Sequence, residues 1–162
     1  DLDIILSLIK SEIKNIHANG VKIVSPTVDI ANARIEFNNG CVANLTASRI
    51  SQKSMRKMRL FQEKDYITID FQEGILEEYK VCDNPPIPGE GDQVVKLKGK
   101  EKKYILYRKP SVPKHDALKE ELIHFVDSIQ NVKQPETDGI SATEALSLAL
   151  EIQKIIDQQT YF

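Results

Sequence analysis

The stretch Asp29-Ile30-Ala31-Asn32-Ala33-Arg34-Ile35-Glu36-Phe37-Asn38-Asn39-Gly40-Cys41-Val42-Ala43-Asn44-Leu45-Thr46-Ala47-Ser48-Arg49 decides the fold. Two alternating runs flank Asn39-Gly40, and a tight turn between strands needs positive φ, which Asn and Gly tolerate. The spacing predicts a β-hairpin. By the period of two, Ala31, Ala33, Ile35 and Phe37 share one face with Ala43, Leu45 and Ala47, while Asn32, Arg34, Glu36, Asn44, Thr46 and Ser48 fall on the other. The first is a core face. The second is wet, and a wet face of small polar residues serves either solvent or a sheet-to-sheet subunit contact.

Outward from the hairpin, residues 12–24 alternate weakly up to Ser25-Pro26, which predicts a strand closed by a turn. Residues 56–62, 66–71 and 75–81, separated by Glu63-Lys64-Asp65 and Gln72-Glu73-Gly74, read as a meander. Residues 83–92 carry Pro85, Pro86, Pro88, Gly89 and Gly91, a composition that holds neither ladder nor helix. Residues 94–97 and 104–107 flank the charged segment 98–103 as a second hairpin with a solvated lysine-rich tip.

Three apolar stripes at helical spacing complete the pattern: Leu2, Ile5, Leu6 and Ile9; Leu118, Leu122, Phe125, Val126 and Ile129; and Ala145, Leu146, Ala149, Ile152 and Ile156. Three helices and about seven strands in this order predict an α+β fold, a largely antiparallel open-faced sheet with helices packed on one face. A single domain over residues 1–162 is the expectation for this length.

Lys and Arg total 22 against 24 Asp and Glu, so the formal charge of -2 gives no global field for nucleic acid or an anionic membrane. No apolar run approaches the roughly 18 to 20 residues that span a bilayer. Cys41 and Cys82 have no metal spacing and read as reduced thiols, in keeping with a cytoplasmic protein. The sequence has no Gly-x-Ser-x-Gly, His-Glu-x-x-His or Cys-x-x-Cys, and Gly89-Glu90-Gly91 opens no helix, as a dinucleotide fingerprint must. His17, His115 and His124 are scattered and read as ordinary boundary residues. Asp1 and Asp3 open the first helix, where carboxylates complement the helix dipole. That helix has no polar lead-in, so the chain is expected to be a piece of a longer protein.

Several segments together resemble the Gfo/Idh/MocA family of NAD(P)-dependent oxidoreductases. Asp1-Leu2-Asp3-Ile4 resembles the tail of the family's His-x-x-Asp element, with the His falling just before residue 1. The likeness continues through Ala33-Arg34-Ile35-Glu36-Phe37 with Asn39-Gly40, Tyr66-Ile67-Thr68-Ile69-Asp70, residues 118–129, and Pro135-Glu136-Thr137-Asp138-Gly139 with Ala145 and Leu146. It covers essentially the whole chain.

The resemblance implies a C-terminal substrate-binding and oligomerisation domain. The N-terminal Rossmann domain, with its NAD or NADP and catalytic Lys, lies outside this chain, as does the proton-transferring His. The chain alone is then expected to be catalytically silent and to hold neither cofactor nor metal. Asp3 matches the family's Asp, one helical turn after the His, where a carboxylate orients an imidazole or meets a sugar hydroxyl. Arg49 and Lys53, just after the hairpin, read first as solvated basic residues and otherwise as candidate contacts for anionic or hydroxyl groups of a sugar, polyol or sugar-nucleotide substrate. The wet face is the expected homo-oligomer, in the simplest case homodimer, contact. The alternative reading is a non-enzymatic α+β module that uses its open sheet to hold a ligand or a protein.

Overall fold

A computed structural model describes residues 1–99, 102–113 and 116–159. Among the described residues there are three helices and eight strands, and every strand pair is antiparallel. The fold is α+β. The strands are divided between a three-stranded and a five-stranded sheet, and the chain divides into two compact units, residues 1–52 with 121–162, and residues 53–120. His115, Lys100 and Glu101 lie outside the described residues.

The first unit contains α1 (Leu2–Leu8), β1 (Ile13–Val21), β2 (Ile30–Phe37), β3 (Val42–Ser48), most of α2 (Ala117–Gln130) and α3 (Gly139–Asp157). Its sheet runs β1-β2-β3, and the hairpin has the register the alternation demands, with Ala31 opposite Ala47, Ala33 opposite Leu45 and Ile35 opposite Ala43. Gly40 takes φ 86°, the left-handed conformation that the Asn39-Gly40 turn requires.

Ile35 and Phe37 are fully buried against Leu148 of α3, and Leu2, Ile5, Leu6 and Ile9 of α1 pack on the same cluster. A second cluster joins Ala18, Ala33 and Ile156. Both helices therefore cover the apolar face of the three-stranded sheet. In α3 the buried line passes through Leu148, Ile152 and Ile156, whereas Leu146, expected in the stripe, is 59% exposed. Asp138 caps this helix, accepting the backbone N–H of Ser141 at 2.8 Å.

The predicted stripe of α2 forms a helix as expected, but Leu118, Leu122, Phe125, Val126 and Ile129 are all exposed. The residue that α2 buries is Ser128, whose hydroxyl donates to the His124 carbonyl at 2.8 Å. Amphipathic spacing states that a face wants cover and does not state which element supplies it.

The second unit holds β4 (Lys57–Phe61), β5 (Asp65–Asp70), β6 (Ile75–Cys82), β7 (Gln93–Lys96) and β8 (Tyr104–Arg108), in the order β4-β5-β6-β8-β7. The meander and second hairpin both form. The proline-rich connection lets β7 pass outside β8, and Asp92 fixes its end by accepting the Gly89 N–H at 2.9 Å and pairing with Arg108 at 3.1 Å.

Candidate functional site

Strand β1 ends at Val21 rather than at residue 24, and the cause is one carboxylate. Asp29 is 3% exposed and accepts the backbone N–H groups of Ile23, Val24 and Ser25 at 2.7, 2.8 and 3.1 Å. Those donors are thereby lost to the ladder. The Ser25 hydroxyl adds a bond at 2.9 Å and Arg49 Nε an ion pair at 2.7 Å. Arg49 also donates from Nη2 to the hydroxyls of Ser25 and Thr27. Backbone donation from Ile23 leads the causes that hold the Asp29 carboxyl far below the usual carboxylate range, burial opposes it, and Val24, Arg49 and Ser25 add to the lowering.

Arg49, expected as a substrate contact, thus anchors the loop between β1 and β2 and keeps about half of its side chain exposed. Asp3 lies in the first turn of α1, whose apolar residues sit on the Ile35–Phe37 cluster. Lys53 is exposed at the start of the second unit. No hydrogen bond or ion pair joins Asp3, Arg49 and Lys53 among the described residues.

A second array of hydrogen-bonding groups is the wet face of the three-stranded sheet. Register places His17 opposite Arg34 and Arg34 opposite Asn44; one row along, Asn19, Asn32 and Thr46 align. Thr46 donates to Asn32 at 2.8 Å and Asn32 to Asn19 at 3.4 Å, while Arg34 reaches Glu36 at 3.1 Å and Asn44 at 3.3 Å. Asn15 and His17 meet at 2.8 Å. A cavity of about 510 Å³ is lined by these two rows, by the intervening Ile16, Ala18, Ala33 and Leu45, and by Ile155 and Gln159. Its polar side chains donate and accept hydrogen bonds, and none of them is a nucleophile set against a base. It is equipped to bind hydroxyl or amide groups rather than to transform them. The sequence signalled this array through hairpin alternation; the contributions of Asn15, His17 and Asn19 needed the β1 register.

Among the described residues, no group of three or more His, Cys, Asp and Glu side chains could hold a metal ion. The glycines of the 83–92 loop lead into strand β7 rather than a helix N-terminus, so they do not form the cradle a dinucleotide pyrophosphate requires. No helix among the described residues is long and apolar enough to cross a membrane.

Comparison with known proteins gives this geometry a context. UDP-N-acetylglucosamine 3-dehydrogenase of Acidithiobacillus ferrooxidans is 32% identical over 159 residues, 97% of this chain and 46% of the relative. A solved structure of that enzyme superimposes with a TM-score of 0.82 at 30% identity over 98% of this chain and 48% of that one. These relatives are dehydrogenases of the Gfo/Idh/MocA type, and this chain is similar to their C-terminal portion. A second crystal form of the enzyme gives a TM-score of 0.77 at 28% identity, covering 96% of this chain and 44% of that one. An NAD-binding protein from Listeria innocua shares the fold, with a TM-score of 0.68 at 19% identity over 96% of this chain and 42% of its own. The chain thus spans about half the length of these Gfo/Idh/MocA-type relatives. No protein-family model matches the sequence.

Proposed function

We propose that the chain is the substrate-side and oligomerisation domain of a cytoplasmic NAD(P)-dependent dehydrogenase acting on a sugar nucleotide of the UDP-N-acetylglucosamine type. The observation that carries this reading is the match to UDP-N-acetylglucosamine 3-dehydrogenase over 97% of the chain. NAD or NADP would supply the hydride acceptor. In this reading the cofactor is held by other residues of the full-length protein and this chain alone is inactive, a division supported by the 83–92 glycines leading into strand β7 rather than a helix.

Asp3, at the head of a helix anchored on Ile35 and Phe37, serves as the carboxylate that orients a proton-transferring imidazole or meets a sugar hydroxyl. Arg49 offers its exposed guanidinium edge, and Lys53 its ammonium, to the diphosphate. The wet face around Asn32 and Arg34 forms the contact between copies.

Titration of NADH and NADPH fluorescence, with calorimetric titration of UDP-N-acetylglucosamine, tests the reading on the intact gene product beside this chain. Cofactor binding by the intact product and not by the chain is the expected result. Binding of neither nicotinamide by the intact product would overturn the dehydrogenase reading and leave the binding-module alternative.

A further inference from the structure

Arg49 is fixed at both its main chain and its side chain. Its backbone N–H donates to the Asp29 carbonyl at 3.1 Å, extending the β2–β3 pairing by one bond, and its Nε lies 2.7 Å from Oδ1 of the same Asp29. A guanidinium has five N–H donors. Nε gives its one to Asp29, and Nη2 donates to the hydroxyls of Ser25 and Thr27. Nη1 has no partner among the described residues, so its two N–H groups are the donors left over, on a side chain that remains 51% exposed.

The anchor works in both directions. Oδ2 of Asp29 accepts the N–H groups of Ile23, Val24 and Ser25, which fixes the loop that carries Ser25 and Thr27. That loop in turn fixes three donors of the arginine. A long side chain surrenders rotamer freedom when a ligand immobilises it, and here folding has already taken most of that freedom away. Ile23 and Val24, 56% and 76% exposed, stand on the same tied loop. Apolar surface with a few placed donors is the combination a small-molecule site uses.

We infer that Asp29, Ser25 and Thr27 are positioning residues, which take three donors of Arg49 and hold its Nη1 edge ready for the diphosphate of the sugar nucleotide. The inference rests on the reading of Arg49 as a diphosphate contact and goes beyond it by giving the loop between β1 and β2 a part in binding. Asp29 and the two hydroxyls act through the arginine and need not touch the ligand.

Thr27 gives the cleanest test, because it is exposed, lies outside every helix and strand, and meets Arg49 through a hydroxyl that Val lacks and Ser keeps. The dissociation constant of UDP-N-acetylglucosamine is measured by calorimetric titration of the intact gene product and of its Thr27→Val, Thr27→Ser, Arg49→Ala and Arg49→Ala/Thr27→Val variants, with thermal midpoints alongside. Thr27→Val is expected to weaken binding about two- to tenfold with little change in midpoint. Thr27→Ser should bind as the parent does, and Thr27→Val should have no further effect once Arg49 is replaced. If Arg49→Ala does not fold, the comparison of Thr27→Val with Thr27→Ser decides. Where Arg49→Ala weakens binding, equal affinity of Thr27→Val and the parent, failure of Thr27→Ser to restore it, or the same Thr27→Val loss with and without Arg49 overturns the inference and leaves the diphosphate reading standing. Unchanged affinity of a folded Arg49→Ala protein, or no binding of the sugar nucleotide by the intact product, overturns both.

Discussion

A methyl carbon built on Gly20 would lie 2.7 Å from Cγ2 of Ile156, and at the same distance from Cγ1 of Val28. Real carbon contacts do not come that close, so the absence of a side chain on β1 lets α3 approach the sheet there. The closeness sits in the cluster formed by Ala18, Ala33 and Ile156, where small residues on the strands receive the helix. Gly20→Ala is expected to destabilise the chain by about 1–3 kcal/mol through overpacking. Urea unfolding measures it, and an unchanged midpoint would mean that the helix yields freely.

The register of α3 makes a second, contrasting prediction. Leu148 is 4% exposed and Leu146 is 59% exposed, although both are leucines two residues apart. Leu148→Ala should cost about 2–5 kcal/mol as a cavity opens beside Ile35 and Phe37. Leu146→Ala should stay within about 0.5 kcal/mol. Equal losses would show the helix rotated from the position described.

The Asp29 node predicts an acid dependence. Its folded carboxyl is held well below the ordinary value of 3.8, so it stays ionised where the unfolded chain already takes up the proton. The stabilisation is therefore complete above the ordinary value and drains away as the pH falls below it. Asp29→Asn should lower the thermal midpoint at neutral pH by several degrees and flatten its fall on acidification. Parallel midpoint curves for the two proteins would contradict this.

Arg49 and Lys53 should separate by stability. Arg49→Lys loses the forked contact to Asp29, Ser25 and Thr27 and lowers the thermal midpoint. Lys53→Ala alters an exposed side chain and should change stability by no more than about 0.5 kcal/mol. In the intact protein, both are expected to weaken binding of the sugar nucleotide. An effect on binding without the Arg49 loss of stability would assign that guanidinium to the ligand rather than to the loop.

The sequence carried the hairpin because Asn39-Gly40 and two clean alternations left one register that buries Ile35 and Phe37. It did not carry the end of β1. Residues 22–24 continue an apolar alternation, and only the folded chain shows the Asp29 carboxylate taking three backbone donors from it. The stacking of Phe61 on Tyr66 and of Tyr66 on Tyr79 across β4, β5 and β6 was implicit in the short turns between those strands, but Tyr107 of β8 joins the row only because β7 passes outside β8. In α2 the spacing of Leu118, Leu122 and Phe125 fixed the helix and its apolar side, not what lies against them. Asp3 came from resemblance and Arg49 and Lys53 from their charge just after the hairpin, and the fold gives Arg49 a structural partner, Asp29, that periodicity could not reveal.

The most direct test of the dehydrogenase assignment is turnover by the intact gene product, followed as appearance of reduced nicotinamide on mixing UDP-N-acetylglucosamine with NAD+ or NADP+. The expected result is oxidation by the intact product, loss of most of that activity on Asp3→Ala with the fold retained, and none by the chain alone. Absence of turnover with either cofactor across UDP-sugars, in a protein that is folded and assembled, would contradict the account.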